Sequence, residues 1–149
     1  INNFDDSSYG VLFKSSIEVW KEEKIFGVGL KSYGKVCDTL SFENNTIHQK
    51  CSTHPHNLYL QILSETGLIG MILFLSFLIS FFLNYTKLSL KPTISDKNFV
   101  LSICYLFYLF SMFWPLTTSG SFYSTWNGFY YWIIIGLILN ISKKKLNFI

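Results

Sequence analysis

The 149-residue chain lacks arginine and alanine altogether, and only 14% of its residues are charged. Soluble domains carry nearer a quarter. Without arginine there is no forked guanidinium to clamp a phosphate bidentately, so all 12 basic residues are lysines, point charges on flexible stems. A net charge of +3 that gathers on no patch excludes a surface built to track a nucleic-acid backbone. Disorder is excluded as well, because 50% of residues are hydrophobic and 19% aromatic, with a mean hydropathy of +0.32. Cysteine, histidine and proline are scarce, at three each. The first residue is Ile1 and no signal peptide is visible, so the chain is expected to be a piece of a longer protein.

What charge there is falls unevenly. Residues 1–65 carry six Lys and eight acids. From Thr66 to Thr86 no residue is charged, and after the polar stretch with Lys87, Lys91, Asp96 and Lys97 a second uncharged run extends from Asn98 to Ser142. About 20 apolar residues cross a bilayer as a helix, so the first run predicts one membrane helix, about 68–85. The second is too long for one span and is broken by Pro115 and the Thr117–Ser121 segment, which predicts two more, about 99–116 and 126–141. Buried helices of a soluble protein are the competing reading, but three of them would need a large covering surface. The fold class expected is therefore all-α, with three integral membrane helices over 67–142 preceded by a helical outer region, 1–66. By the positive-inside rule the Lys-bearing loop at 87–97 and the basic tail at 143–149 are cytoplasmic, which puts 1–66 and the uncharged 117–125 hairpin outside. Trp114, Tyr123, Trp126 and Tyr130 form an aromatic belt at the outer ends of the last two helices.

In the outer region, Asp5-Asp6-Ser7-Ser8 suits a helix start, and Phe13, Ile17 and Trp20 share one face of a helix ending near Lys24. Gly27-Val28-Gly29 breaks it, and residues 30–53 read as an irregular loop. In an oxidising exterior Cys37 and Cys51 are expected to pair, the alternative being two free thiols; Cys104 reads as a small buried hydrophobe. His48, His54 and His56 cluster with Cys51. A zinc site is a weak reading of this spacing, which lacks the paired repeats of closed sites, so no metal is expected.

The stretch His54-Pro-His-Asn-Leu-Tyr-Leu-Gln-Ile-Leu-Ser-Glu-Thr-Gly-Leu-Ile-Gly70 is the densest in chemistry. Pro55 fits the first turn of a helix. Asn57, Gln61 and Glu65 then make a polar stripe at i, i+4, i+8, which is either functional or a solvated face. Gly67 and Gly70 permit a bend or a close helix approach at membrane entry.

These residues resemble the O-antigen ligase and polymerase superfamily of bacterial membrane glycosyltransferases. The family signature is a His followed by Asn, Ser or Gln, nine residues, Gly, two residues, and Gly, Thr or Tyr. His56-Asn57, Gly67 and Gly70 match it throughout. Trp20-Lys-Glu-Glu-Lys-Ile-Phe-Gly-Val-Gly-Leu30 is similar to the family's amphipathic helix and Gly-Val-Gly turn, and Cys37 with Cys51-Ser-Thr-His-Pro-His-Asn57 resembles one subgroup. The likeness covers about residues 9–86. Beyond that it rests on topology and the Trp114-Pro-Leu and Ser119-Gly-Ser-Phe pattern.

The resemblance implies a multi-pass inner-membrane enzyme that needs no metal or other cofactor and keeps residues 1–66 in the periplasm. It would transfer a glycan from an undecaprenyl-diphosphate carrier to a hydroxyl of the lipopolysaccharide core. His56 would be catalytic, as the base for that hydroxyl. Asn57, with His54 in a secondary role and Gln61 and Glu65 on the stripe, would bind or orient substrate. Family members place Arg in this region for the diphosphate. Tyr9 and Gly34 stand at those places here, leaving Lys14, Lys31 and Lys35 as the available cations. Alternatives are an O-antigen polymerase, with a growing glycan as acceptor, a protein O-oligosaccharyltransferase, and, from another class, a transporter or flippase. Transporters usually carry polar or charged residues within their spans, and these spans contain no Asp, Glu, Lys, Arg or His, which favours an enzyme.

Overall fold

A computed structural model of the chain describes residues 7–44, 51–89 and 96–146. Asp5, Asp6, His48, Lys91 and the end of the basic tail lie outside them, as do the side chains of Lys87, Lys97 and Lys143 to Lys145. Among the described residues there are five helices and no strand: α1 (Ser8–Glu22), α2 (Tyr33–Asn44), α3 (Leu58–Ser89), α4 (Asp96–Met112) and α5 (Thr125–Leu146). They fall into two compact units. One comprises residues up to Phe74 together with Thr118–Ser124; the other comprises Leu75–Thr117 and Thr125 onward.

In the first unit α1 starts where the Ser7 hydroxyl accepts the Gly10 N–H (3.1 Å), satisfying an otherwise orphaned donor of the first turn. It ends at Glu22, two residues short of the expected Lys24. Residues 33–44 are not irregular: they form α2, which packs on α1. The core between them contains Val19, Tyr33, Cys37 and Leu40, with Val28, Val36 and Cys51 against it. Tyr33, Val36, Cys37 and Leu40 are spaced i, i+3, i+4, i+7, so α2 has a short apolar stripe, set among polar residues that obscure it. The face of α1 that meets this core is also not the aromatic one. Gly10, Ser15, Ser16 and Val19 are buried, whereas Phe13 is exposed. Small residues let α2 approach closely, and the Ser15 hydroxyl both bonds the Tyr33 hydroxyl (3.0 Å) and satisfies itself on Val11 O (2.8 Å). Cys37 and Cys51 are joined in a disulfide, Cα–Cα 5.8 Å.

The long helix α3 is interrupted at Gly67, with φ 66° and ψ −165°. A break in a helix frees backbone groups that must find partners. Here Val28, Gly29 and the turn before them supply partners for four of these groups. Val28 N–H donates to Ser64 O and Gly29 N–H to Glu65 O, both at 3.0 Å, while Leu68 N–H donates to Lys24 O (2.9 Å) and Ile69 N–H to Ile25 O (3.2 Å). Those two carbonyls and two amides would have bonded each other in an unbroken helix. Gly27 and Gly67 meet backbone to backbone: a Cβ on Gly27 would run into Glu65, Thr66 and Gly67, and one on Gly67 into Ile25 and Gly27. Both have positive φ, as does Gly29 (99°). A Cβ on Gly70 would collide with the Thr66 side chain, whose hydroxyl is tied to Ile62 O (2.7 Å).

Over Leu58–Thr86, α3 is long and apolar enough to cross a membrane, and among the described residues it is the one helix that is. In the second unit α4 has a shorter apolar stretch, Ile103–Met112. The helix stops at Met112 rather than near 116, because the residue before Pro115 is driven out of helical geometry. α4 packs on α5 with the Phe113 and Tyr131 rings 5.5 Å apart and Leu109, Ile135 and Ile138 buried. Cys104 is exposed, not buried: α4 turns it away from α5.

Candidate functional site

The helical part of the motif begins later than Pro55. Asn57 is the N-cap of α3, its side-chain carbonyl accepting the N–H groups of Tyr59 (3.0 Å) and Leu60 (3.1 Å). Pro55 is buried two residues ahead of the cap and His56 is left outside the helix, exposed, with φ 55°. A positive φ is costly for any residue with a Cβ. Among the described residues only two non-glycines adopt it, Lys31 (59°) and His56. Strain of this kind persists where the surroundings enforce it. For His56 the enforcement is visible: its carbonyl accepts the Ser119 N–H (2.9 Å) and its Nε2 lies 3.2 Å from the Ser52 hydroxyl.

The polar stripe of α3 does not face solvent. Gln61 and Glu65 are 2% and 1% exposed. The Gln61 amide donates to the Ser121 hydroxyl (3.0 Å) and to Glu65 Oε2 (3.4 Å), and its carbonyl accepts the Phe122 N–H (2.9 Å). One side chain thus pins the 118–124 segment, the same segment that holds the His56 carbonyl. Glu65 Oε1 accepts the Tyr33 N–H (3.4 Å) at the start of α2, where a carboxylate complements the helix dipole. Burial, and after it the charge of Glu65, push the Tyr123 phenol up to about 12.

On α2's first turn an open cavity of about 260 Å³ is lined by Lys31, Gly34, Lys35, Asp38, Cys51, Ser52 and Thr53. Two ammonium groups against one carboxylate make its lining net positive, while Glu65, which accepts the Tyr33 N–H and interacts with Lys31, offsets the N-terminal end of α2. Ser52 joins this cavity to His56. A Cβ on Gly34 would stand 3.3 Å from Ser52 O and Thr53 Cα, so the 51–53 segment occupies the space a longer side chain there would need. His54 lies beside His56 with ring centroids 4.1 Å apart and the rings tilted by 41°, and its Nδ1 lies 3.1 Å from the Thr53 hydroxyl. Its Nε2 is buried without a partner, and burial first, the His56 charge second, lower its pKa.

The structure therefore brings His54, His56, Lys31 and Lys35 around Ser52 and Thr53. Lys14 lies exposed on α1 and does not line the cavity. Gln61, Glu65 and Asn57 do not line the cavity, though Glu65 interacts with Lys31 and Asn57 caps α3. Cys51, with its sulfur bonded to Cys37, is not a thiolate ligand, and among the described residues no group of three or more His, Cys, Asp or Glu could hold a metal. Sequence reasoning gave no site role to Ser52, Tyr33 or Ser119, although Ser52 and Ser119 stand in the stretches that carry the resemblance. The signal that could have found Tyr33 is its helical spacing to Cys37 and Leu40.

The described residues thus form a helical fold in which an imidazole and a cavity lined by two lysines precede a helix long and apolar enough to cross a membrane. Residues 2–75 match the O-antigen ligase family, and over this stretch the chain belongs to that family, a membrane-embedded group of glycosyltransferase and ligase enzymes. No curated protein and no solved structure gives a significant match.

Proposed function

We propose that the chain is the catalytic part of an O-antigen ligase that joins an undecaprenyl-diphosphate-borne glycan to the lipopolysaccharide core. The observation that supports this best is the sharing of Ser52 between His56 and the Lys31–Lys35 cavity. In the reaction the acceptor hydroxyl oxygen attacks the anomeric carbon. His56 takes the hydroxyl proton, and the bond from that carbon to the diphosphate oxygen breaks with its electron pair leaving on phosphate. Lys31 and Lys35 hold the diphosphate as that charge grows, and the Ser52 hydroxyl orients the His56 ring. His54 keeps the neighbouring ring from tilting away. Gln61 and Glu65 act as framework, not as substrate contacts. The reading carries with it three membrane spans, with 1–66 and 117–125 in the periplasm and the basic loop and tail in the cytoplasm of an inner-membrane protein.

The test is His56→Ala in the full chain, assayed with carrier-linked glycan and lipid A-core. Loss of a general base costs about 10²–10⁴-fold in rate, with membrane yield unchanged because His56 is exposed and caps nothing. Transfer near the wild-type rate would end the assignment. The product separates the two family chemistries: core-linked glycan for a ligase, lengthened carrier-linked glycan for a polymerase.

A further inference from the structure

The turn that fills the break in α3 carries two large apolar side chains pointing out of the protein. Ile25 is 53% and Phe26 69% exposed. They are fixed there. The Lys24 carbonyl accepts both the Leu68 N–H (2.9 Å) and the Trp20 indole N–H (3.1 Å), and the Ile25 carbonyl accepts the Ile69 N–H (3.2 Å). The turn is thus tied to α3 at the first residues of its uncharged run, where Leu68, Ile69, Ile72 and Leu73 are themselves exposed. A soluble surface rarely gathers so many exposed apolar side chains around one point.

We propose that Lys24–Phe26 is a membrane-interface wedge: Ile25 and Phe26 insert into the lipid beside α3, and Trp20 sits at the headgroup level as interfacial tryptophans do. The occupant of this surface is lipid because the patch continues the exposed face of the membrane-capable helix through direct backbone bonds. The surrounding charges favour no lipid charge: Lys21 is paired with Glu18 (2.7 Å), and Glu22, Glu23 and Lys24 are exposed side by side. Insertion is accordingly apolar, worth the burial of two large side chains, and indifferent to anionic headgroups. The wedge sets the depth of the Gly27–Gly67 junction, and with it the height of the site above the hydrocarbon.

The experiment reads depth, not catalysis, so it stands apart from the proposed activity. In the full chain with Cys104→Ser, a nitroxide is placed at position 26 (Phe26→Cys) or, as the water-facing reference, at the exposed Thr39 of α2 (Thr39→Cys), and the protein is reconstituted in phosphatidylcholine vesicles. Collision with oxygen should exceed collision with a nickel chelate at 26 and the order should invert at 39. Adding phosphatidylglycerol should change neither. Nickel-dominated collision at 26 would mean the turn faces water. Low collision with both would mean that protein covers it. Insertion only with phosphatidylglycerol would mean electrostatic attachment. Each of these three overturns the wedge.

Discussion

The two units of this chain are held by opposite means. The first is stapled by specific polar and covalent links: a disulfide, a helix break filled by a foreign turn, and Gln61 and Glu65 buried with their partners. The second keeps together through side chains such as Leu109, Phe113, Tyr131 and Ile138, while most of its large apolar groups face outward. Helix α3 passes through both and changes character on the way, from buried polar residues before Gly67 to exposed apolar ones after it. The lesson concerns solvent. In a membrane, apolar exposure costs nothing and buried backbone must be paired. A site that handles a charged headgroup needs polar side chains held rigidly, and the first unit supplies the holding.

The same substitution should therefore act with opposite sign in the two units. Gly67→Ala places a Cβ in the backbone of Ile25 and Gly27 at a positive φ, so a loss of folded protein is expected, from strain of about 1–3 kcal/mol plus the clash. Gly136→Ala in α5 meets nothing within 4 Å and should stabilise by about 0.5–1 kcal/mol. Thermal unfolding in detergent compares them, and equal effects would erase the distinction. Next in size is the staple. Cys37→Ser with Cys51→Ser opens a loop with a sequence separation of 14, worth about 3 kcal/mol on the chain-entropy account. Proteolysis should then begin in residues 30–55 and leave α5 intact.

A smaller effect sharpens the division of labour at the motif. Asn57→Ala removes the α3 cap and should cost about 1 kcal/mol, whereas Asn57→Asp, which keeps the accepting oxygen, should be nearly neutral in the same melt. The smallest is pH-dependent. His54 titrates below its ordinary 6.5 in the folded chain, so below that pH the unfolded chain binds more protons. Stability should be flat above 6.5 with respect to this group, fall as pH drops below it, and level off once the folded ring is also protonated. His54→Asn should flatten the curve, which melts from pH 5 to 8 would reveal.

Residue pattern reached some of this and missed the rest for identifiable reasons. The uncharged run of α3 and the His56-Asn57-Gly67-Gly70 spacing are local, and local patterns survive in a sequence. α2 was read as loop because its apolar stripe is short and set among polar residues, and the face of α1 that meets it gave no signal because the serines that fit against Tyr33 add nothing to a hydrophobic pattern. The polar stripe looked like a surface or a binding face. It is not a solvated face, since Ser121 and Phe122 approach it from about 60 residues away.

The sequence by itself determined the helical class, the membrane-capable stretch and the family, because hydropathy and short motifs depend on neighbours along the chain. Tertiary structure alone decided three things: that Gly27 faces Gly67, that Ser52 connects His56 to two lysines, and that His56 and Lys31 hold strained backbones. The physical reason is common to them. Gly27 with Gly67, Ser52 with Lys31, and the Ser119 N–H on the carbonyl of the strained His56 all join segments distant in sequence, set by where freed backbone groups and polar atoms find partners, and no local propensity encodes that choice.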